Sequence, residues 1–330
     1  MQTPPIASPQ PNELPRAKRL DGTARRVLML VNRKAGNGLG QKVVHQAIES
    51  LEAHGYDTKM VADANEFADL SHRWMEQGEL RLAISAGGDG TLSLALNSSP
   101  QGTPLLIFPL GTENLLARYV GHKRLPLSIV PLIESGVVIP LDAARAGDRL
   151  FCIVFSAGLD SEVVREVHHR RGGNITHLAY AAPLFKTITG YRYPQIKVTA
   201  TNLRGEAFEA TGCWTFGVNL PRYALGLPIA PAAVGTDGQL DVCVLERGSL
   251  WSGLSYVTHM VRRRHHLLDH VHAFQANKIR FEALGDQPVT YQVDGDPGGL
   301  LPVELSVEPR RMHLLVEPLV AKKLGFAVEP

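Results

Sequence analysis

The chain has 330 residues, a formal net charge of +2, 44% hydrophobic and 20% charged residues. That length suits one large or two ordinary globular domains, and the near-neutral charge argues against bulk nucleic-acid binding while leaving local basic patches open. No apolar run approaches the roughly 18 residues of a membrane span. The three cysteines, Cys152, Cys213 and Cys243, sit in apolar segments and read as buried thiols of a reducing compartment.

Residues 1–24 are predicted to be a disordered tail: the first fifteen are rich in Pro and polar residues and lack the apolar stretch of a signal peptide. From Arg25 to about Ala143, strand-like and helix-like periods alternate. Val27–Val31 is a short continuous apolar run, as in a strand buried on both faces. A Gly-containing turn follows, then Val43, Val44, Ala47, Ile48 and Leu51 at helical spacing. Further strands are predicted at Lys59–Ala62, Leu82–Ala86, Leu105–Phe108 and Gly136–Leu141, with helices over Phe67–Met75 and Leu92–Leu96. Alternation of this kind implies a doubly wound parallel sheet whose ligand site lies beyond the C-terminal strand ends. After Leu150 the period becomes two, at Ile196–Ala200, Leu240–Val244 and Val303–Val307, which predicts half-buried antiparallel strands. The expected fold class is α/β plus β. An α/β nucleotide-binding domain spans residues 25–143, with residues 317–330 a candidate to rejoin it, and a β-sandwich spans residues 144–316, interrupted by helical stretches at Ser161–Val167 and Leu250–Val271.

Three turns at predicted strand ends carry the chemistry. They are Asn32-Arg33-Lys34-Ala35-Gly36-Asn37-Gly38, Gly87-Gly88-Asp89-Gly90-Thr91 and Pro109-Leu110-Gly111-Thr112-Glu113-Asn114. Glycine lets backbone N–H groups approach a phosphate, and a following helix N-terminus adds favourable partial charge. A single such turn is more often plain punctuation; three in succession point to a polyphosphate. None is a GxxxxGK[ST] loop or a GxGxxG fingerprint. Asp89 would repel phosphate unless it holds Mg²⁺ or accepts a proton, although an Asx turn or helix cap also explains an aspartate there.

These motifs together resemble the diacylglycerol kinase catalytic-domain family, which includes sphingosine, ceramide and bacterial lipid kinases. Gly87–Thr91 is similar to GGDGT, Asn32–Gly36 to N-P-x-[SA]-G, and Pro109–Arg118 to P-x-G-[TS]-x-N-x-x-A-R. Leu141–Ala143, Ala230–Val242 (APAAVGTDGQLDV) and Val293–Asp296 resemble the acidic hinge, the A-P-x-A…D-G-x-L-D segment and the V-D-G-E turn. The resemblance implies an active site in the cleft between the two domains, with ATP, Mg²⁺ and a lipid alcohol as ligands. It implies that Asn32, Lys34, Gly36, Gly87, Gly88, Gly90, Thr91, Gly111, Thr112 and Asn114 bind the nucleotide. Asp89 falls at the phosphate and metal, Asp142 at an acidic active-site position, Asp237 in a structural Mg²⁺ network, and Asp296 at the general-base position.

The chain departs from the pattern at Arg33 (for Pro), Leu115 (for an Asp of many bacterial members) and Asp296 (for Glu). The shorter Asp296 leaves Asp89 as a competing base. Arg33 and Lys34 are candidates to offset γ-phosphate charge or are plain loop cations. Leu250–Val271 reads either as a packed amphipathic helix or as one lying on an anionic membrane surface through Arg262, Arg263 and Arg264. The adjacent His265 and His266 read as surface residues. The expected protein is a cytoplasmic lipid kinase in transient contact with the inner membrane surface, with no nucleic acid partner and a homodimer left open. The alternatives are a soluble NAD kinase-like enzyme and a non-catalytic lipid-binding protein on the same fold.

Overall fold

The computed structural model describes residues 15–20, 22–32, 39–169 and 189–328. After the short β1 (Lys18–Arg19), the N-terminal lobe alternates β2 (Arg26–Val31), α1 (Leu39–Ala53), β3 (Asp57–Val61), α2 (Ala64–Glu76), β4 (Leu80–Gly87), α3 (Asp89–Ser98) and β5 (Pro104–Pro109). Two short helices follow, α4 (Leu115–Tyr119) and α5 (Ile129–Ser135). The second half contains β6 (Val137–Ala146), β7 (Arg149–Phe151), β8 (Val154–Gly158), α6 (Leu159–His169), β9 (Gln195–Thr201), β10 (Ala207–Gly212), β11 (Trp214–Val218) and β12 (Leu240–Leu245). It continues with α7 (Leu250–Val261), β13 (Val271–Ala276), β14 (Lys278–Leu284), β15 (Thr290–Val293), β16 (Asp296–Leu300), β17 (Val303–Val316) and α8 (Pro318–Lys323).

The continuous apolar run of β2 serves two cores at once. Val27, Met29 and Val31 pack with Val44, Ala47 and Leu51 of α1, while Leu28 and Leu30 pack with Phe67 and Trp74 of α2 and Leu92 and Leu96 of α3. Alternate side chains of a strand point to opposite faces, so a strand covered on both sides must be apolar throughout. The strands lie parallel in the order β5-β4-β2-β3. The helix after β2 packs on one face and the helix after β4 on the other. The connections therefore part at the C-terminal ends of these neighbours and open a crevice there.

The second sheet is antiparallel, in the order β13-β12-β11-β8-β15-β16. Its inner face packs Phe155, Val242, Val244 and Val293 against Ile196, Val198, Ile279, Phe281 and Leu305 of the first sheet. Phe155 and Phe281 meet with ring centroids 4.6 Å apart.

The fold bears on four of the sequence expectations. The domain boundary drawn after residue 143 falls inside β6, which pairs with β17 from Val316 back to Leu305. β17 also runs parallel to β5 and antiparallel to β14, so one 11-stranded sheet passes through both lobes. A 14-residue strand is long enough to serve both, with a register shift between Glu308 and Met312 where Arg310 is left-handed. The expected tail extended to residue 24, and residues 1–14 lie outside the described residues. From residue 15 on, β1 pairs with β6, and Ala17 and Pro15 exchange backbone hydrogen bonds with Ala327. The helix expected over Leu250–Val271 ends at Val261, because Arg263 is left-handed, and Val271 begins β13. His265, read as a surface residue, is buried and hydrogen-bonded to the Ile229 carbonyl (2.7 Å), whereas His266 is exposed. Among the described residues no helix is long and apolar enough to cross a membrane.

Candidate active site

Two of the glycine turns meet at the C-terminal edge of the parallel sheet. Gly88 precedes α3 in extended geometry with no side-chain cap, and Thr91 N–H donates to Gly88 C=O (3.0 Å), which leaves the N–H groups of Asp89 and Gly90 for another acceptor. The turn after β5 lies directly against it: a Cβ on Gly111 would come within 2.7 Å of Gly88 Cα. A Cβ on Gly87 would meet Thr91 Oγ1 at 2.0 Å, so buried Thr91 occupies the space that a side chain there would need. Gly111 is thus required by backbone packing against Gly88, and Gly87 by the Thr91 side chain, whereas a Cβ on Gly88 would make only ordinary contact with Gly111 Cα at 3.4 Å. Gly90 is different, since its added Cβ would have only Asp296 Oδ2 as a neighbour, at 4.0 Å.

Asn114 organises the third turn. It is left-handed (φ 47°), its Oδ1 accepts from Gly111 N–H (3.1 Å) and its Nδ2 donates to Gly111 C=O (2.7 Å). Thr112 is exposed beside it, its carbonyl accepting from Arg118. Asn32 follows β2 directly, donating its N–H to Ala86 C=O (3.2 Å). It borders a cavity of about 230 Å³ lined by Val31, Gly40, Gln41, Val44, Met60 and Leu110 among others. Lys34 and Gly36 lie outside the described residues.

Carboxylates converge on this edge from both lobes. Asp89 opens α3 and accepts from Leu115 N–H (2.9 Å). Burial, then the charge of Asp294, push its carboxyl up to about 6 against the pull of the Leu115 and Leu116 N–H groups. Leu115, which replaces a family carboxylate, packs partly buried against the core while its backbone holds Asp89. Glu113 supplies an acid two residues earlier. It acts on Asp89 electrostatically, and its Oε2 is buried with no hydrogen-bond partner.

The second lobe contributes the turn between β15 and β16. Asp294, left-handed and buried, accepts from the N–H groups of Ile153 (2.9 Å), Val154 (3.0 Å) and Cys152 (2.9 Å). Burial raises its carboxyl, and those three N–H groups and Arg149 oppose the rise. Gln292 fixes the same turn by accepting from Gly295 N–H (2.8 Å), and its amide donates to Ser156 Oγ (2.7 Å) and Asp160 (3.2 Å). Asp296 projects towards Gly90. Its Oδ2 accepts from Arg149 (2.7 Å), and the same guanidinium nitrogen reaches Ser93 Oγ of α3 (3.2 Å). Arg149 therefore ties the two sides of the cleft together.

Asp142 and Asp237 belong to a different group. Asp142 Oδ1 accepts from Arg310 N–H and Oδ2 from Gly238 N–H, both at 2.7 Å, so its buried carboxyl staples the β17 bulge to the loop before β12. Asn219 donates to the carbonyls of Asp142 and Cys152, which connects that staple to the Asp294 turn. Asp237 accepts from Gln239 N–H (3.0 Å) and Gln275 (3.1 Å). Burial raises it, and its charge, after burial, helps raise Asp241 to about 7. Among the described residues no three His, Cys, Asp or Glu side chains form a group able to hold a metal. The carboxylates beside the glycine turns include Asp89, Glu113 and Asp296, whereas Asp237 bonds Gln239 and Gln275 instead.

Sequence reasoning passed over Arg149, Asp294 and Glu113. Asp294 and Glu113 lie inside motifs already singled out. Arg149 has no motif, and only folding brings it to Asp296.

A two-lobed α/β and β-sandwich molecule with phosphate-type turns facing carboxylates across a cleft defines a phosphotransferase architecture. Residues 26–146 match the diacylglycerol kinase catalytic domain, and residues 153–316 match the YegS C-terminal NAD kinase beta sandwich-like domain. The chain belongs to the diacylglycerol kinase family and is an enzyme of the kinase class. It is 25% identical over 307 residues to the diacylglycerol kinase of Bacillus subtilis (strain 168), covering 91% of this chain and 99% of that one. A diacylglycerol kinase of Mycobacterium tuberculosis (strain ATCC 25618 / H37Rv) is 26% identical over 299 residues, covering 88% and 94%. The fold is shared with a crystal structure of a diacylglycerol kinase from Bacillus anthracis str. Sterne, at TM-score 0.65 and 18% identity over 91% of this chain and all of that one.

Proposed function

We propose that the protein transfers the γ-phosphoryl group of ATP, with Mg²⁺, to the hydroxyl of diacylglycerol or a related lipid alcohol. One observation carries the reading: Asp296 Oδ2 of the sandwich lobe stands 4.0 Å from the side-chain position of Gly90, at the N-terminus of α3. A phosphoryl group held on the first-turn N–H groups of α3 is then within reach of a carboxylate from the opposite lobe. The names of the relatives support the lipid acceptor.

Asp89 and Glu113 would hold Mg²⁺, since a carboxylate oxygen buried without a partner suits a cation, and one or two carboxylates completed by phosphate oxygens and water suit this ion. Held by these two carboxylates, the ion would supply positive charge to offset that of the phosphate oxygens. The N–H groups of the Gly88–Gly90 and Gly111 turns bind and align the triphosphate, which is most of what phosphoryl transfer asks of a protein. Asp296, oriented by Arg149, accepts the hydroxyl proton as the lipid oxygen bonds to the γ-phosphorus and the bond to the β,γ-bridging oxygen breaks. The phosphorylated lipid and ADP leave. Asp142, Asn219 and Gln292 keep the two turns in register without touching the reacting atoms.

The test is transfer of labelled γ-phosphate from Mg-ATP to diacylglycerol, sphingosine, ceramide, phosphatidylglycerol and NAD in mixed micelles. Label in a lipid, diacylglycerol first, is expected. Label in NAD alone, or in none of the acceptors while ATP binds, overturns the reading.

A further inference from the structure

The helix α7 is apolar on two opposite faces. Its inner face carries buried Tyr256 and Met260, which belong to the core with Cys243 and Leu245 of β12. Its outer face carries Trp251, Leu254 and Val261, which are 77%, 58% and 65% exposed. At 100° per residue these three fall within one arc roughly opposite Met260. Leu267, on the turn that follows, is 68% exposed. A surface helix ordinarily turns charged or polar residues outwards, and a contiguous apolar patch on that face marks a contact surface.

Exposed cations border this patch. Arg262, Arg263, Arg264 and His266 follow the last turn, and among the described residues none of the three arginines forms an ion pair. The surface is firmly held. Ser249 caps the helix through Ser252 N–H (3.0 Å), Tyr256 OH accepts from Arg247 N–H (3.0 Å), and His265 ties the basic turn to Ile229.

We propose that the outer face of α7, with the Arg262–Arg264 turn, docks the enzyme on the surface of an anionic phospholipid bilayer. Tryptophan and aliphatic side chains beside unpaired arginines match the interfacial zone, where rings and aliphatic groups sit below the headgroups and cations lie among their phosphates. A protein partner would satisfy the apolar residues but would not by itself call for a run of three unpaired arginines. The proposal rests on the lipid-kinase reading, because it places the enzyme where a membrane-borne substrate lies, although the contact itself needs no turnover.

The experiment is sedimentation of the full chain with vesicles of phosphatidylcholine alone or with one third phosphatidylglycerol, at low and high salt, without nucleotide. Binding to the anionic vesicles, lost at high salt, is expected, together with a blue shift and bromolipid quenching of Trp251 fluorescence that Trp251→Phe identifies. Arg262→Gln with Arg264→Gln should weaken partitioning by about 25-fold, two surface charges at roughly fivefold each. Arg263 is left in place because its backbone is left-handed. Trp251→Ser with Leu254→Ser should also abolish binding, while activity on a micellar substrate stays at the parent level. Binding that ignores lipid charge or is unchanged in both variants overturns the proposal. So does a concentration-dependent dimer abolished by the Trp251 and Leu254 changes. Vesicle binding without label in any lipid would refute the kinase reading and leave the docking surface standing.

Discussion

Glycine has two separate reasons to be present in the phosphate turns, and substitution separates them. Gly111→Ala places a methyl 2.7 Å from Gly88 Cα, so the turns must part. A stability loss of about 1–3 kcal/mol, read as a lower denaturant midpoint, is expected together with lost nucleotide binding. Gly90→Ala meets nothing closer than 4.0 Å, so the melting temperature should hold while KM for ATP rises about tenfold or more through misplacement of the phosphates. Asp89 shows the opposite relation of activity to stability. Its folded pKa of about 6 lies above the unfolded value near 3.8, so its ionisation in the fold is unfavourable. Its contribution to stability is intact below 3.8 and is lost as pH rises through 6. Without metal, Asp89→Asn should therefore be more stable than the parent at pH 7.5 by on the order of 2–3 kcal/mol, with the gap closing near pH 4 and activity lost throughout. Equal stability at pH 7.5 would count against this account of Asp89.

A part-buried histidine reinforces the join between the two lobes. β17 and β5 pair in parallel at only His313–Pro104 and Leu314–Leu105. Beyond that, His122 bridges them: Nδ1 accepts from Ile107 N–H (3.3 Å) and Nε2–H donates to Leu315 C=O (2.8 Å). Burial pushes the ring down to about 4, so it stays neutral and keeps this tautomer. The unfolded ring binds a proton near 6.5 and the folded one does not until about 4. Stability should therefore fall as pH drops through that interval, by on the order of 3 kcal/mol. His122→Gln should flatten that part of the stability–pH curve, as read by urea titrations at several pH values.

At the scale of the molecule, the shared sheet decides how the lobes behave. β6 and β17 belong to both, so thermal unfolding should be one cooperative transition, and two resolved transitions would show independent lobes. Arg149 is the side-chain counterpart of that join, linking Ser93 of α3 to Asp296. Arg149→Met should lower kcat by about 10–100-fold through loss of orientation, yet cost only about 1 kcal/mol of stability, because the pair is part-exposed. An unchanged kcat would remove Arg149 from the site.

The alternation of periods and the glycine turns determined the two-lobe plan, the parallel sheet and the position of the phosphate edge. Those features follow from local rules: side-chain period, glycine's backbone freedom and the direction of a βαβ crossover. The sequence by itself could not place carboxylates that share residue type and motif rank. Asp142, Asp237 and Asp296 differ in the chain only by the family positions they resemble; in the fold Asp142 is absorbed by two backbone N–H groups, Asp237 pairs with glutamine, and of the three only Asp296 reaches Gly90. The boundary after residue 143 falls inside a strand that both lobes share, for a related reason. A strand's sheet is chosen by partners more than a hundred residues away, and no local period records which partners those are. The same distance hides Arg149, whose role depends on pairing with a residue 147 positions further along the chain.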